Sequence, residues 1–128
     1  MIKTIYFIFF ICAFSLGLWA CTGKDSDKFK NLSSDQFEEM IQDKTIQLID
    51  VRTVAEYSEG HIPGSININV LGTNIEKLLQ KDRPVAVYCK SGRRSRNAAN
   101  ILVKKGFKVY NLDKGILDWK ELGKEISF

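Results

Sequence analysis

The stretch Pro84-Val85-Ala86-Val87-Tyr88-Cys89-Lys90-Ser91-Gly92-Arg93-Arg94-Ser95 decides how this chain is read. An apolar, β-prone run ends in a cysteine, a short loop with one glycine and three cations follows, and the pattern then turns helical. Cys89 therefore stands at the carboxyl end of a strand and the amino end of a helix, where open α/β sheets place their ligand sites. Unpaired amides at a helix start favour an anion. That field, with Lys90, Arg93 and Arg94 beside it, lowers a thiol pKa from its free value of about 8.5. The reading is a thiolate nucleophile in a small electropositive loop.

Working outward, strand and helix patterns alternate. Ser33 or Ser34 caps a first helix, with Phe37, Met40 and Ile41 on one face. Ile46–Val51 reads as a buried strand, Thr53–Ser58 as a short helix capped by Thr53, and Ser65–Val70 as a half-exposed strand of period two. Asn74–Gln80 is expected to be helical with Ile75, Leu78 and Leu79 inward. After the cysteine loop, residues 93–105 give the strongest helix, with Ala98, Ile101 and Leu102 as its stripe and Gly106 as its stop. A strand over 107–112 and a helix over 116–122, with Ile116, Trp119 and Leu122 inward, complete the pattern. Such alternation predicts parallel β-α units with helices on both faces of the sheet.

The 128 residues carry a net charge of +4 and 45% hydrophobic side chains, enough for one globular domain and an extra piece. The extra piece leads the chain. Lys3 precedes an uncharged run from Thr4 to Ala20 rich in Ile, Phe and Leu, which reads as a secretory signal. A membrane anchor is the competing reading, since the run approaches the lower limit for a span. Ala20-Cys21 at its end resembles a bacterial lipoprotein signal, which implies cleavage and a lipid on Cys21. Trp19 departs from the small residue usual there. The expected division is a signal at 1–20, a lipidated cysteine with a flexible tether at 21–32, and the folded domain at 33–125. The expected location is the bacterial cell envelope, periplasmic or surface side, tethered to membrane. Without residues 1–20 the charge is +3, and no basic stripe with interleaved aromatics calls for nucleic acid. Cys12 would leave with the signal and Cys21 would be acylated, so Cys89 is the one free thiol of the mature chain and no internal disulfide forms. A monomer is expected.

Three blocks together resemble a single-domain rhodanese, a sulfurtransferase. They are Asp50-Val51-Arg52 with Glu56-Tyr57; Gly60-His61-Ile62-Pro63-Gly64-Ser65-Ile66-Asn67; and Val87 through Ser95, continuing through Ala98-Ala99 and Leu102 to Gly106-Phe107. The resemblance spans about residues 33 to 122. It implies a three-layer α/β/α fold with a central parallel sheet of about five strands. It also implies a cysteine, here Cys89, that takes sulfane sulfur from a donor such as thiosulfate and passes it to cyanide or a thiol, with no cofactor. The family often shows a glycine pair before its last helix, where this chain has Lys114-Gly115.

Such chemistry needs a thiolate and hydrogen-bond donors for the persulfide and the departing sulfite. Backbone amides of residues 90–94, including that of Ser91, are expected to form an anion nest, with Gly92 supplying backbone freedom. Arg94, with its planar fork, is expected to orient an anionic donor; Lys90 and Arg93 add positive potential, and Ser95 caps the helix. Asp50 and Arg52 are expected to support the loop, Asp50 through a loop cation or loop amides, Arg52 through Glu56 or the substrate. His61 reads as a loop residue rather than a general base. One histidine and one free cysteine make no metal site. Two rivals stand. A phosphatase or arsenate reductase uses five residues between Cys and Arg, whereas four separate Cys89 from Arg94. A sulfur-carrier, redox or partner-binding module would use the same cysteine without turnover.

Overall fold

A computed structural model describes residues 28–69 and 74–128. The apolar leader and Cys21 lie outside the described residues, as does Val70. Five strands, β1 (Lys30–Leu32), β2 (Gln47–Asp50), β3 (Ile66–Asn67), β4 (Val85–Tyr88) and β5 (Val109–Leu112), form one sheet in the order β1-β5-β4-β2-β3. Every neighbouring pair is parallel. The helices are α1 (Ser34–Met40), α2 (Val54–Ser58), α3 (Arg93–Lys104) and α4 (Gly115–Glu121), with a 3₁₀ turn at Ile75–Leu78.

Strand β4 lies at the centre, and all four of its residues are buried. Its side chains alternate between two apolar layers, as a pleated strand requires. Val85, Val87 and Cys89 join Ile49, Val51, Ala98, Ala99 and Leu102 beneath α3. Ala86 and Tyr88 join Leu48, Phe37, Ile116 and Trp119 beneath α1 and α4. Both faces are thus covered, which is why the inner strands read as nearly unbroken apolar runs. At the far edge β3 has two residues, and its Ile66 is exposed.

Of the two serines offered for the first cap, Ser33 takes it, and Thr53 caps the second helix as expected. Ser33 and Gln36 form a reciprocal capping box on α1, and Thr53 and Glu56 form one on α2. Helix α3 stops in a Schellman motif: Phe107 N–H donates to Leu102 O at 3.1 Å and Gly106 N–H to Val103 O at 3.0 Å.

Several expectations need correction. The tether was expected to run to residue 32, but Lys30–Leu32 pairs with Tyr110–Leu112 as an edge strand. Its three residues are too few to carry an apolar period. The helix expected at 74–80 is a single 3₁₀ turn that buries Ile75 and leaves Leu78 exposed. In α3 the inward stripe is Ala98, Ala99 and Leu102, while Ile101 faces out. Leu122 ends up just past α4 and exposed.

The β4–α3 loop is clamped against the β5–α4 turn from both sides. Gly92 (φ 95°) abuts the Asp113 carbonyl, and Gly115 (φ 66°) abuts the Lys90 carbonyl, so a Cβ at either position would collide with backbone. Of the Lys114-Gly115 pair, only the second needs the left-handed region; Lys114 sits at φ −99°. The missing first glycine therefore leaves the turn intact. Gly115→Ala is expected to lower the unfolding free energy by about 2 kcal/mol or more. Gly64→Ala has the same backbone sign but a methyl that meets nothing within 4 Å, and should lose about 1 kcal/mol. Denaturant titration of the two variants separates collision from backbone strain; equal losses would contradict the clamp.

Candidate active site

Cys89 follows β4 directly, and its backbone is fixed by α4. Ile116 N–H donates to Cys89 O at 2.9 Å and Leu117 N–H to Lys90 O at 3.1 Å. These amides belong to the first turn of α4, which has no internal partners for them. The start of one helix thus anchors the loop that leads into another. Arg96 adds a tie from α3 to the turn, with Nη2 3.4 Å from Asp113 O and 3.5 Å from its carboxylate.

The sulfur points into the loop. Gly92 N–H donates to Sγ at 3.1 Å, and the Ser95 hydroxyl lies 3.4 Å from Sγ and 3.1 Å from Gly92 O. One hydroxyl proton serves one of these acceptors at a time, and a thiolate attracts it more strongly than a carbonyl. Burial pushes the Cys89 thiol up. The Ser95 hydroxyl and the amides of Ser95, Gly92 and Ser91 overcome that penalty, so the net shift is downward from the ordinary cysteine value. Of residues 90–94, expected to supply the amides, Gly92 donates to Sγ, and Ser95, outside that span, adds its hydroxyl. Two sequence expectations change here. Ser95 does not cap α3, whose N-cap is Gly92 with no side-chain bond; it is buried at the third helical position and turned to the sulfur. And Cys89, which the sequence reads as a nucleophile, has no exposed surface.

The ion pairs differ from the expected ones by an exchange of partners. Arg94 Nη1 and Nη2 donate to Glu56 Oε1 and Oε2 at 2.7 and 2.8 Å. Arg94 is therefore engaged by α2 rather than turned freely to a donor. Arg52 does not pair with Glu56. Its Nε lies 3.0 Å from both Asp50 oxygens, and its Nη2 donates to Asp50 Oδ2 at 2.7 Å and to Gly60 O at 2.7 Å. Asp50 also accepts the Arg52 amide at 2.9 Å. Both side chains are buried, and removing one partner would strand a charge at a cost of about 3–5 kcal/mol. Neither Asp50 nor Arg52 uses the cysteine loop for these bonds; they tie β2 to the segment after α2.

That segment is structural throughout. His61 stacks on Tyr57 with ring centroids 3.7 Å apart, its Nδ1 lies 3.0 Å from Tyr57 O, and its backbone pairs with Ser127. Tyr88, which the sequence did not single out, accepts Ile62 N–H at 3.0 Å and meets Ser65 Oγ at 2.8 Å. Lys90, Ser91 and Arg93 are exposed around the loop. Glu56 is the site residue whose role was missed. The pattern Thr53-Val54-Ala55-Glu56 was the available signal, because a capping box fixes Glu56 in the first turn of α2 at the strand-end rim.

Residues 33–122 match the rhodanese-like domain family. Among relatives, a protein named thiosulfate sulfurtransferase GlpE from Shewanella oneidensis is 38% identical over 97 residues, covering 73% of this chain and 94% of its own. A protein named sulfurtransferase from Allochromatium vinosum is 32% identical over 96 residues, covering 72% and 89%. The crystal structure of a rhodanese-related protein from Thermoplasma volcanium superposes with a TM-score of 0.71 at 30% identity, covering 77% of this chain and 98% of that one. The family match spans the cysteine loop, and with these identities and this superposition beside it the chain belongs to the rhodanese-like domain family.

Proposed function

We propose that the protein is a sulfurtransferase that carries sulfane sulfur on Cys89. The observation that supports this most is a lone sulfur accepting bonds from its own loop, an arrangement that favours thiolate over thiol. With thiosulfate as donor, the Cys89 thiolate attacks the sulfane sulfur. A new S–S bond forms, the bond to the sulfonate sulfur breaks, and sulfite leaves with its electron pair. The enzyme is left as a persulfide anion held by the donors that held the thiolate. Cyanide, or a thiolate acceptor, then attacks the outer sulfur and leaves as thiocyanate or a persulfide, restoring the Cys89 thiolate. No net redox change or cofactor is needed. Lys90 and Arg93 draw an anionic donor to the rim through positive potential.

The four-residue spacing from Cys89 to Arg94 disfavours a phosphatase, which needs a wider ring of amides. Thiosulfate-dependent thiocyanate formation is expected in the wild type and none in Cys89→Ser with an unchanged circular dichroism spectrum. Aryl phosphate should not be hydrolysed. Turnover by the serine variant would remove Cys89 from the chemistry. Phosphate release matching thiocyanate formation would reverse the choice of reaction.

We also propose that the domain is tethered to membrane through a lipid on Cys21, on the support of the uncharged run before Ala20-Cys21. Labelled palmitate should enter the wild-type chain in bacterial cells and be absent from Cys21→Ala; equal labelling of both would contradict the lipid site.

A further inference from the structure

The thiol is covered, and the guanidinium expected to receive an anion already holds one. Glu56 meets Arg94 through two near-equal bonds of 2.7 and 2.8 Å, the two-pronged contact a guanidinium offers an oxyanion. We propose that Glu56 is an internal competitor: its carboxylate fills the oxyanion site of Arg94, and a donor reaches Cys89 by displacing it. Glu56 is in this view the residue that sets donor affinity and charge preference, and its effect on thiosulfate rests on the sulfurtransferase reading.

Three features make the pair displaceable. First, it is solvated: the Arg94 side chain is 43% exposed and that of Glu56 27%, and ion pairs so placed are weak. The buried Asp50–Arg52 pair, by contrast, cannot open without stranding a charge. Second, Glu56 has another place to rest. Its Oε1 already accepts from Thr53 Oγ1 at 3.1 Å and Thr53 N–H at 3.4 Å, so release from Arg94 leaves the α2 cap in place. Third, Arg94 is the second residue of α3, two positions after Gly92, whose amide donates to Cys89 Sγ at 3.1 Å. An anion seated on Arg94 therefore stands at the helix end that carries the sulfur loop.

Glu56 is ionised throughout the working range. Arg94 holds its carboxyl down to about 2, with Thr53 assisting against partial burial. A carboxylate pKa depressed on folding adds stability above its unfolded value, and that stability is lost only as pH falls toward about 2. The competitor is thus a fixed charge rather than a pH switch.

Glu56→Gln tests this cleanly, because glutamine serves at the same capping position in α1, where Ser33 N–H donates to Gln36 Oε1 at 3.0 Å. The variant should lower KM for thiosulfate by about twofold to fivefold, as expected for loss of one solvated ion pair, with a smaller change in kcat. It should also raise the rate of Cys89 alkylation by anionic iodoacetate relative to neutral iodoacetamide by a similar factor. A raised alkylation ratio in a protein without thiosulfate turnover would uphold the competitor and sink the donor assignment. Normal turnover with KM and ratio both unchanged would sink the competitor alone. Should Glu56→Gln fold poorly, Glu56→Asp, one methylene too short for the two-pronged contact, should move both readouts in the same direction; no movement would overturn the proposal.

Discussion

The amides and hydroxyl turned inward on Cys89 Sγ are the constraint around which the rim of this domain is built. A buried sulfur in an apolar layer would stay protonated and inert. Here the strand delivers Cys89 into the layer beneath α3, and burial alone would push its thiol up. The donors from residues 91, 92 and 95 reverse that sign. They do so only because the loop is wound tightly enough to face them inward, which requires Gly92 in the left-handed region and pressed on the Asp113 carbonyl. That contact in turn requires the β5–α4 turn, closed by Gly115 against Lys90. Loop, turn and the first amides of α4 form a single mechanical unit.

Charge is distributed around this unit in two tiers. Asp50 and Arg52 form a buried, fully bonded pair that ties β2 to the segment after α2. Glu56 and Arg94 form a solvated pair that spans from α2 to α3 beside the loop. The first is fixed by the cost of breaking it, and the second is free to exchange partners. That contrast follows from burial alone and accounts for why two arginines at the same rim have different uses.

The central strands, the Thr53 cap, the Gly106 stop and the position of Cys89 were legible in the sequence, because each depends on residues next to one another in the chain; the first cap was legible only as Ser33 or Ser34. Local pattern also located the loop amides, though it placed them at 90–94 instead of 91, 92 and 95. What the sequence left open depends on long-range placement. β1 is recognisable only once β5 is beside it, since its three residues show no period. Ala99 stands on the inner face of α3 where Ile101 was expected, because which flank of the apolar stripe meets the sheet is set by how the helix is docked. The pairing of Arg94 with Glu56, separated by 38 positions, and the turning of Ser95 to sulfur both follow from how α2 and α3 meet at the rim. The complete burial of Cys89 is likewise a property of the closed loop and of no single residue type.

The central claim is that hydrogen bonding outweighs burial at Cys89, and the thiol pKa in the folded protein tests it most directly. A depressed pKa favours the folded thiolate, adding stability that is fully present above the unfolded value and lost as pH falls through the folded one. Alkylation of Cys89 by iodoacetamide, followed against pH in the wild type, should rise to its plateau below the ordinary cysteine range, and Ser95→Ala should move that rise upward. A wild-type midpoint at or above the ordinary value would mean that burial wins and that the loop holds a thiol.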